Sequence, residues 1–268
     1  MTAYKTEPMS MNPFPGRTVH VHIPYAKISG SLGFLREKRI NPEIFFPSDQ
    51  LDAVTPADID RLALSLDWPH TLSIHAPFMD LCPGAVDSKI AALTLERFLQ
   101  TIEITAPLRP LAVVFHSGYE SWKYAGNTDI WLKKSAAIWR KALELAEKTG
   151  VKLAIENIVD AEPSHLVRLA DELNHPLFGL CLDVGHRELF SRLSPAEWLG
   201  LTAPRLFELH LHDNFGTSDD HLPVGDGKIE WREFFLKLKS LAAQPVYTLE
   251  AHSEEDALRA LDNLRKFL

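Results

Sequence analysis

Six short apolar runs in this chain carry, at or near their C-terminal ends, a side chain able to bind a metal ion or move a proton. They are His75 in TLSIHA, His116 in LAVVFH, Glu156 in KLAIEN, Asp183 in FGLCLDV, His210 in LFELHLH and Glu250 in VYTLEAH. Three imidazoles and three carboxylates recurring at one place in successive segments make up a donor set suited to zinc, manganese or iron. Taken singly, each has a plainer reading. Asp183, three residues before His186, is also well placed to cap a helix start. His20, His22, His70, His165, His175, His212 and His252 read as structural or solvated residues. The recurrence argues for more, since carboxylates buried together are costly and a divalent cation removes that cost. Two further pieces join the set. His186 lies about one helical turn past Asp183, and in the stretch DNFGTSDDHLPVGDG a single residue separates Asp219 from His221.

The elements that must position these groups are legible in the rhythm of the chain. Strand-like runs recur at 19–23, 43–46, 71–76, 111–116, 152–157, 178–184, 206–212 and 246–252. Between them, 56–68, 88–104, 129–150, 164–173, 194–201, 231–242 and 255–268 carry apolar residues at helical spacings of three and four. Thr55 and Ser194, each followed by proline, together with Asp87 and Ser253, mark helix starts, and Gly150 marks a stop. Alternating strands and helices over this length predict a single α/β domain, a (β/α)8 TIM barrel spanning 18–268 behind a flexible N-terminal arm at 1–17. In such a barrel the strand ends face the active site. Period-two alternation turns Ala154, Cys181, Glu208 and Thr248 inward one layer below, where Glu208 needs a partner.

Composition narrows the function. Acidic residues outnumber basic ones 36 to 28, for a net charge of −8, the wrong sign for a protein that grips a phosphate backbone. The loop APFMDLCPGAVDS offers Asp80 and Asp87 where a DNA-binding loop would offer Lys or Arg. No run is apolar for long enough to span a bilayer, and two distant cysteines, Cys82 and Cys181, form no CxxC pattern. The expected setting is the cytoplasm and the expected partner a small molecule, with no nucleic acid and no membrane; the oligomeric state is left open.

In their order along the chain, IHAPF, FHSG, IEN, LDVGH, HLHDN, DDHLPVGDG and TLEAH resemble the xylose-isomerase-like barrels, a superfamily of sugar-phosphate isomerases and epimerases that also holds the endonuclease IV type of abasic-site nuclease. In the isomerase branch the resemblance implies one divalent ion on Glu156, Asp183, His210 and Glu250, with the two glutamates as acid and base. In the nuclease branch it implies three ions. His75, His116 and Glu156 hold the first; Glu156, Asp183, His210 and Glu250 the second; His186, Asp219 and His221 the third. All nine positions are filled here. His221 stands where many isomerases of the superfamily carry an arginine, which cannot bind a cation. The expectation is therefore a metal-dependent hydrolase with two or three divalent ions, zinc first and manganese or iron as alternatives, cleaving a phosphodiester with help from Glu156 and Glu250. HAPFMDLCPGAVD with the full donor set further resembles the bacterial cobamide-remodelling phosphodiesterases, which implies a non-DNA substrate. The rival expectations are a sugar or sugar-phosphate isomerase or epimerase and, behind it, an abasic-site DNA endonuclease. Arg187, Phe78 and Trp122 are the expected substrate contacts, with Lys27, Lys123, Arg192 and Tyr119 in loops that reach toward the same mouth.

Overall fold

The computed structural model describes Phe14 and residues 16–268. Eight parallel strands close into a barrel in sequence order: β1 (Val19–Pro24), β2 (Asn41–Phe45), β3 (Ser73–His75), β4 (Val113–His116), β5 (Leu153–Glu156), β6 (Phe178–Asp183), β7 (Leu206–Leu211) and β8 (Val246–Leu249). The helices around them are α1 (Tyr25–Lys38), α2 (Ser48–Ala53), α3 (Pro56–Ser65), α4 (Ser88–Thr105), α5 (Thr128–Thr149), α6 (Ser164–Leu173), α7 (Val184–Phe190), α8 (Pro195–Thr202), α9 (Trp231–Lys239) and α10 (Glu254–Leu264).

The expected starts hold for a local reason. Thr55 and Ser194 form reciprocal capping boxes with Asp58 and Glu197, Asp87 accepts from the amides of Lys89 and Ile90, and Ser253 accepts from Asp256. Gly150 ends α5 in the left-handed conformation. Periodicity missed α1. That helix contains Gly30 and Gly33 and buries only Ile28 and Leu35, so its apolar stripe is too thin to read. The short α2 and α7 were missed for want of length.

Apolar side chains fill the shell between barrel and helices, with Trp131, Trp139, Trp198 and Trp231 fully buried. Inside the barrel, Ala112, Val114, Ala154 and Cys181 form a separate cluster of small residues, as the inward alternation predicts. Glu208 finds its partners in that interior: Ser73 Oγ donates to its Oε1 at 2.9 Å, and Thr248 donates to the same oxygen. Residues 1–13 and 15 of the expected arm lie outside the described residues. Phe14 does not fit a loose arm, because it is buried in the core and lies under Arg265, 5.6 Å from ring centre to guanidinium. Among the described residues, no helix is long and apolar enough to cross a membrane.

Candidate metal centre

Glu156, at the end of β5 and only 1% exposed, sits among four histidines. Its Oε2 lies 3.2 Å from His75 Nε2 and 3.4 Å from His116 Nε2, and its Oε1 lies 3.4 Å from His186 Nδ1 and 3.5 Å from His210 Nδ1. His75 Nδ1 donates to the carbonyl of Ala76 at 2.8 Å, which turns Nε2 toward Glu156. The His116 ring stacks on Phe78 at 4.2 Å and 13°, so Phe78 forms part of the wall.

Asp183 caps a helix and also faces the cluster. Its Oδ1 caps α7 by accepting from the His186 amide at 2.6 Å, and both carboxylate oxygens lie 3.1 Å from His212 Nε2. Asn157 locks β5 to β6 by exchanging two hydrogen bonds with the Asp183 backbone, at 2.9 and 3.0 Å. His186 Nδ1 faces the Asn157 carbonyl at 3.1 Å, which turns Nε2 toward Asp219 Oδ2 at 3.3 Å, and His221 Nε2 reaches that same oxygen at 3.2 Å.

Several overlapping groups of donor atoms, each within 4.8 Å of one another, result; among them are His75, His116 and Glu156; Glu156, Asp183 and His210; His186, His212, Asp219 and His221; and, sharing Glu43, both His22, Glu43 and Glu250 and Glu43, Glu208 and His210. Glu250 adjoins the second and third, 3.3 Å from His210 Nδ1 and 3.6 Å from His221 Nδ1. All nine residues expected from the sequence therefore meet at one mouth.

Three residues were misread or missed. His212 is fully buried and stacks on His221 at 4.0 Å and 3°, so it is part of the cluster and not a loop histidine. The period-two spacing in HLH was the available signal, since it sends His210 and His212 to the same side. His22 lies 2.8 Å from Glu43 and 3.6 Å from Glu250. Glu43 itself, fully buried in β2, reaches His210 Nε2 at 3.2 Å, and nothing local in NPEIF announces it.

The loop that delivers Asp219 and His221 is folded around Asp213. That buried carboxylate accepts from the amides of Asn214, Gly225 and Ile229 and from Trp231 Nε1, at 2.9, 3.0, 3.1 and 2.7 Å. Gly227 must be glycine here, because a Cβ would stand 2.3 Å from Asp213 Oδ1. His221 takes a left-handed φ of 47°, a strain the surrounding bonds hold in place.

Without a cation the cluster neutralises itself. Burial opposes ionisation of Glu156, yet the charge of His210 and the hydrogen bonds of His186 and His210 hold its carboxyl well below the usual range. Burial likewise opposes charge on His186, but Asp183, Asp219 and Glu156 outweigh it and push that imidazole up to about 12. His221 is raised to about 9 by Asp219 and Glu250 against its burial, whereas burial dominates at His116 and pushes it down to about 3. The buried Nδ1 atoms of His210 and His212 have no hydrogen-bond partner among the described residues. Orphaned imidazole nitrogens beside ionised carboxylates are what a divalent ion would satisfy, so the residues fit one.

The expected substrate contacts fare unequally. Arg187 is 6% exposed, and its guanidinium is taken by Glu188 and the Leu193 carbonyl. Trp122 is 75% exposed with its indole on Glu120, and Tyr119 packs on His165 at 4.1 Å. Lys123 pairs with Glu120. Lys27 lines a cavity of about 430 Å³ beside His22, His221 and Glu250.

Residues 43–267 match the family described as xylose isomerase-like TIM barrel. An uncharacterized protein of Methanocaldococcus jannaschii, MJ1311, is 28% identical over 204 residues, 73% of this chain and 69% of its own length. Another from that organism, MJ1614, is 27% identical over 220 residues, 81% and 84% of the two chains. Among solved structures, a D-tagatose 3-epimerase-like protein gives a TM-score of 0.81 at 24% identity, over 93% of this chain and 96% of its own. The TTHB071 protein from Thermus thermophilus, soaked with ZnCl2, gives 0.74 at 24% identity over 92% and 97%. An L-ribulose 3-epimerase gives 0.72 at 20% over 94% and 86%. At such identities the solved structures establish a shared fold.

Proposed function

The chain belongs to the xylose isomerase-like TIM barrel family, and from that premise we propose that it is a metal-dependent hydrolase of a phosphodiester in a small, non-nucleic-acid molecule, a cobamide nucleotide loop being one candidate. One observation carries the reading: the donors form several overlapping groups at one mouth, with more side chains than one cation can use. His75, His116 and Glu156 would hold one ion, Glu156, Asp183, His210 and Glu250 a second, and His186, Asp219 and His221 a third, with zinc, manganese or iron suited to these donors. Ions held there supply Lewis acidity and lower the pKa of water. Glu250, 8% exposed at the edge of the cluster, is placed to move a proton at its carboxylate. The Glu156 carboxylate keeps two donor groups in register because it belongs to both. Phe78, stacked on His116, offers an apolar face to the substrate. The acidic balance of the chain speaks against abasic-site DNA cleavage.

A second reading, a sugar or sugar-phosphate isomerase or epimerase with one cation, is favoured by the comparisons, in which sugar epimerases share the fold. Glu156 and Glu250 would then exchange a proton with substrate carbon, and Asp219 and His221 would bind the sugar.

Metal content per chain, followed by assays with bis(4-nitrophenyl) phosphate, cobamides and ketohexoses, separates the two. Two or three equivalents with diester cleavage support the hydrolase. One equivalent that stays single after metal loading, with ketose epimerisation and no cleavage, replaces it with the second reading.

A further inference from the structure

We infer that the buried Glu43 carboxylate is a positioning group that fixes which nitrogen of His210 meets a divalent ion. The inference rests only on a cation being bound beside Glu156, and so holds for either reaction above. Glu43 sits within β2, in register with His22 of β1 and Ser73 of β3, and points into the barrel interior with no exposure to solvent. Its Oε2 reaches across to His210 Nε2 at 3.2 Å, and its Oε1 lies 2.8 Å from His22 Nδ1. An ionised carboxylate only accepts, so Nε2 of His210 carries a hydrogen, and Nδ1 is the nitrogen left to offer its lone pair to an ion.

Nδ1 is the nitrogen that faces the donors. It lies 3.5 Å from Glu156 Oε1 and 3.3 Å from Glu250 Oε1, is buried, and has no hydrogen-bond partner among the described residues. With Glu43 as the acceptor at Nε2, Nδ1 is directed at the carboxylates of Glu156 and Glu250. The second oxygen of Glu43 is not available to turn toward them, because His22 occupies it. His22 is itself braced by Phe45, whose ring stacks on it at 5.7 Å and 27°. Glu208, one layer deeper, is held by its Oε1, which accepts from Ser73 and Thr248, and it is Glu43 that makes the hydrogen bond to His210. The arrangement joins β1, β2 and β7 in a His–carboxylate–His chain that orients a ligand without contacting the ion. Outer partners of this kind hold the ring in place and raise its basicity, and losing one typically weakens metal binding by about 10–100-fold.

The test is zinc affinity, measured by competition with a chelating indicator, on the full chain and on Glu43→Ala and Glu43→Gln. Histidine tautomers are read by long-range 1H–15N correlation in 15N-histidine-labelled, zinc-loaded protein. The expected result is a proton on Nε2 of His210 in the unsubstituted protein, an affinity loss of about 10–100-fold in Glu43→Ala, and a smaller loss in Glu43→Gln, whose amide oxygen accepts without a charge. Unchanged affinity in a folded Glu43→Ala protein overturns the inference. So does a proton on Nδ1 of His210 in the loaded protein, which would put Nε2, and with it Glu43, at the ion. If Glu43→Ala does not fold, the near-isosteric Glu43→Gln carries the comparison. A protein that binds no divalent ion at all would remove the metal reading itself, an outcome distinct from the other two.

Discussion

Replacing Glu208 by glutamine should stabilise the metal-free protein at neutral pH while leaving it nearly unchanged below about pH 4.5. Burial, and after it the charge of Glu43, pushes the Glu208 carboxyl up from 4.5 to about 8. Between those two values the folded chain holds a proton that the unfolded chain has lost, so folding stability falls as pH rises through that window. The slope for one proton is roughly 1.4 kcal/mol per pH unit, and from pH 4.5 to 7 the accumulated cost is ~3 kcal/mol. The glutamine side chain is neutral throughout, and its amide oxygen still accepts from Ser73 and Thr248, the two hydroxyls that Glu208 engages. The variant-minus-parent stability should therefore climb with pH from about 5 to about 8 and then level off. Urea unfolding followed by circular dichroism at several pH values in this range, with chelator present, measures that difference. A difference that stays flat with pH would mean that Glu208 is ionised inside the barrel and that the burial argument is wrong. A difference that falls with pH would reverse the sign of the reasoning.

Glu156→Gln should lower bound metal by two equivalents and abolish turnover, since Glu156 belongs to two donor groups; full metal content by elemental analysis would end its bridging role. Zinc loading near neutral pH should release protons and tighten as pH rises toward 9, because His221 at about 9 and His186 at about 12 are protonated in the metal-free fold and must be neutral to bind. Calorimetry in two buffers of different ionisation enthalpy counts those protons, and a count of zero would contradict the charge pattern. Asp213→Asn should cost about 2–4 kcal/mol and remove the equivalent held by the Asp219–His221 loop while sparing the others, because its amide nitrogen cannot accept two of the four bonds that close that loop. Thermal unfolding and metal counting together check this, and a variant with parental stability and metal content would refute it.

Much of this protein follows from local pattern. Strand and helix periods differ, so the barrel could be read from alternating runs. Ser194, Thr55 and Asp87 announced their helices because a cap is a contact between residues two or three apart in the chain. Six of the nine candidate donors were legible because strand ends of a parallel barrel share one face, which turns a repeated sequence position into a spatial cluster, and His186, Asp219 and His221 were legible from their spacing in the segments that follow. The weakly amphipathic α1 was illegible for the complementary reason: with glycines in its middle and only two fully buried residues, it leaves no stripe to detect.

What the sequence determined alone was the type and order of the donors and the fold that gathers them. Closure of the barrel decided the rest. Glu43 and His22 were silent in the sequence because Glu43 meets His210 across the barrel and His22 meets Glu43 on the neighbouring strand, relations that no local spacing encodes. Asp183 posed a choice between cap and donor, and in the folded chain the cap does not exhaust the carboxylate, which accepts from the His186 amide and still faces the His212 imidazole. Arg187 and Trp122, read as substrate contacts from loop position, were directed elsewhere by Glu188 and Glu120, neighbours whose side-chain directions only packing fixes. Residue chemistry is a property of the chain, but which atoms converge depends on register, strand alternation and burial, and those are settled only when all eight strands are paired.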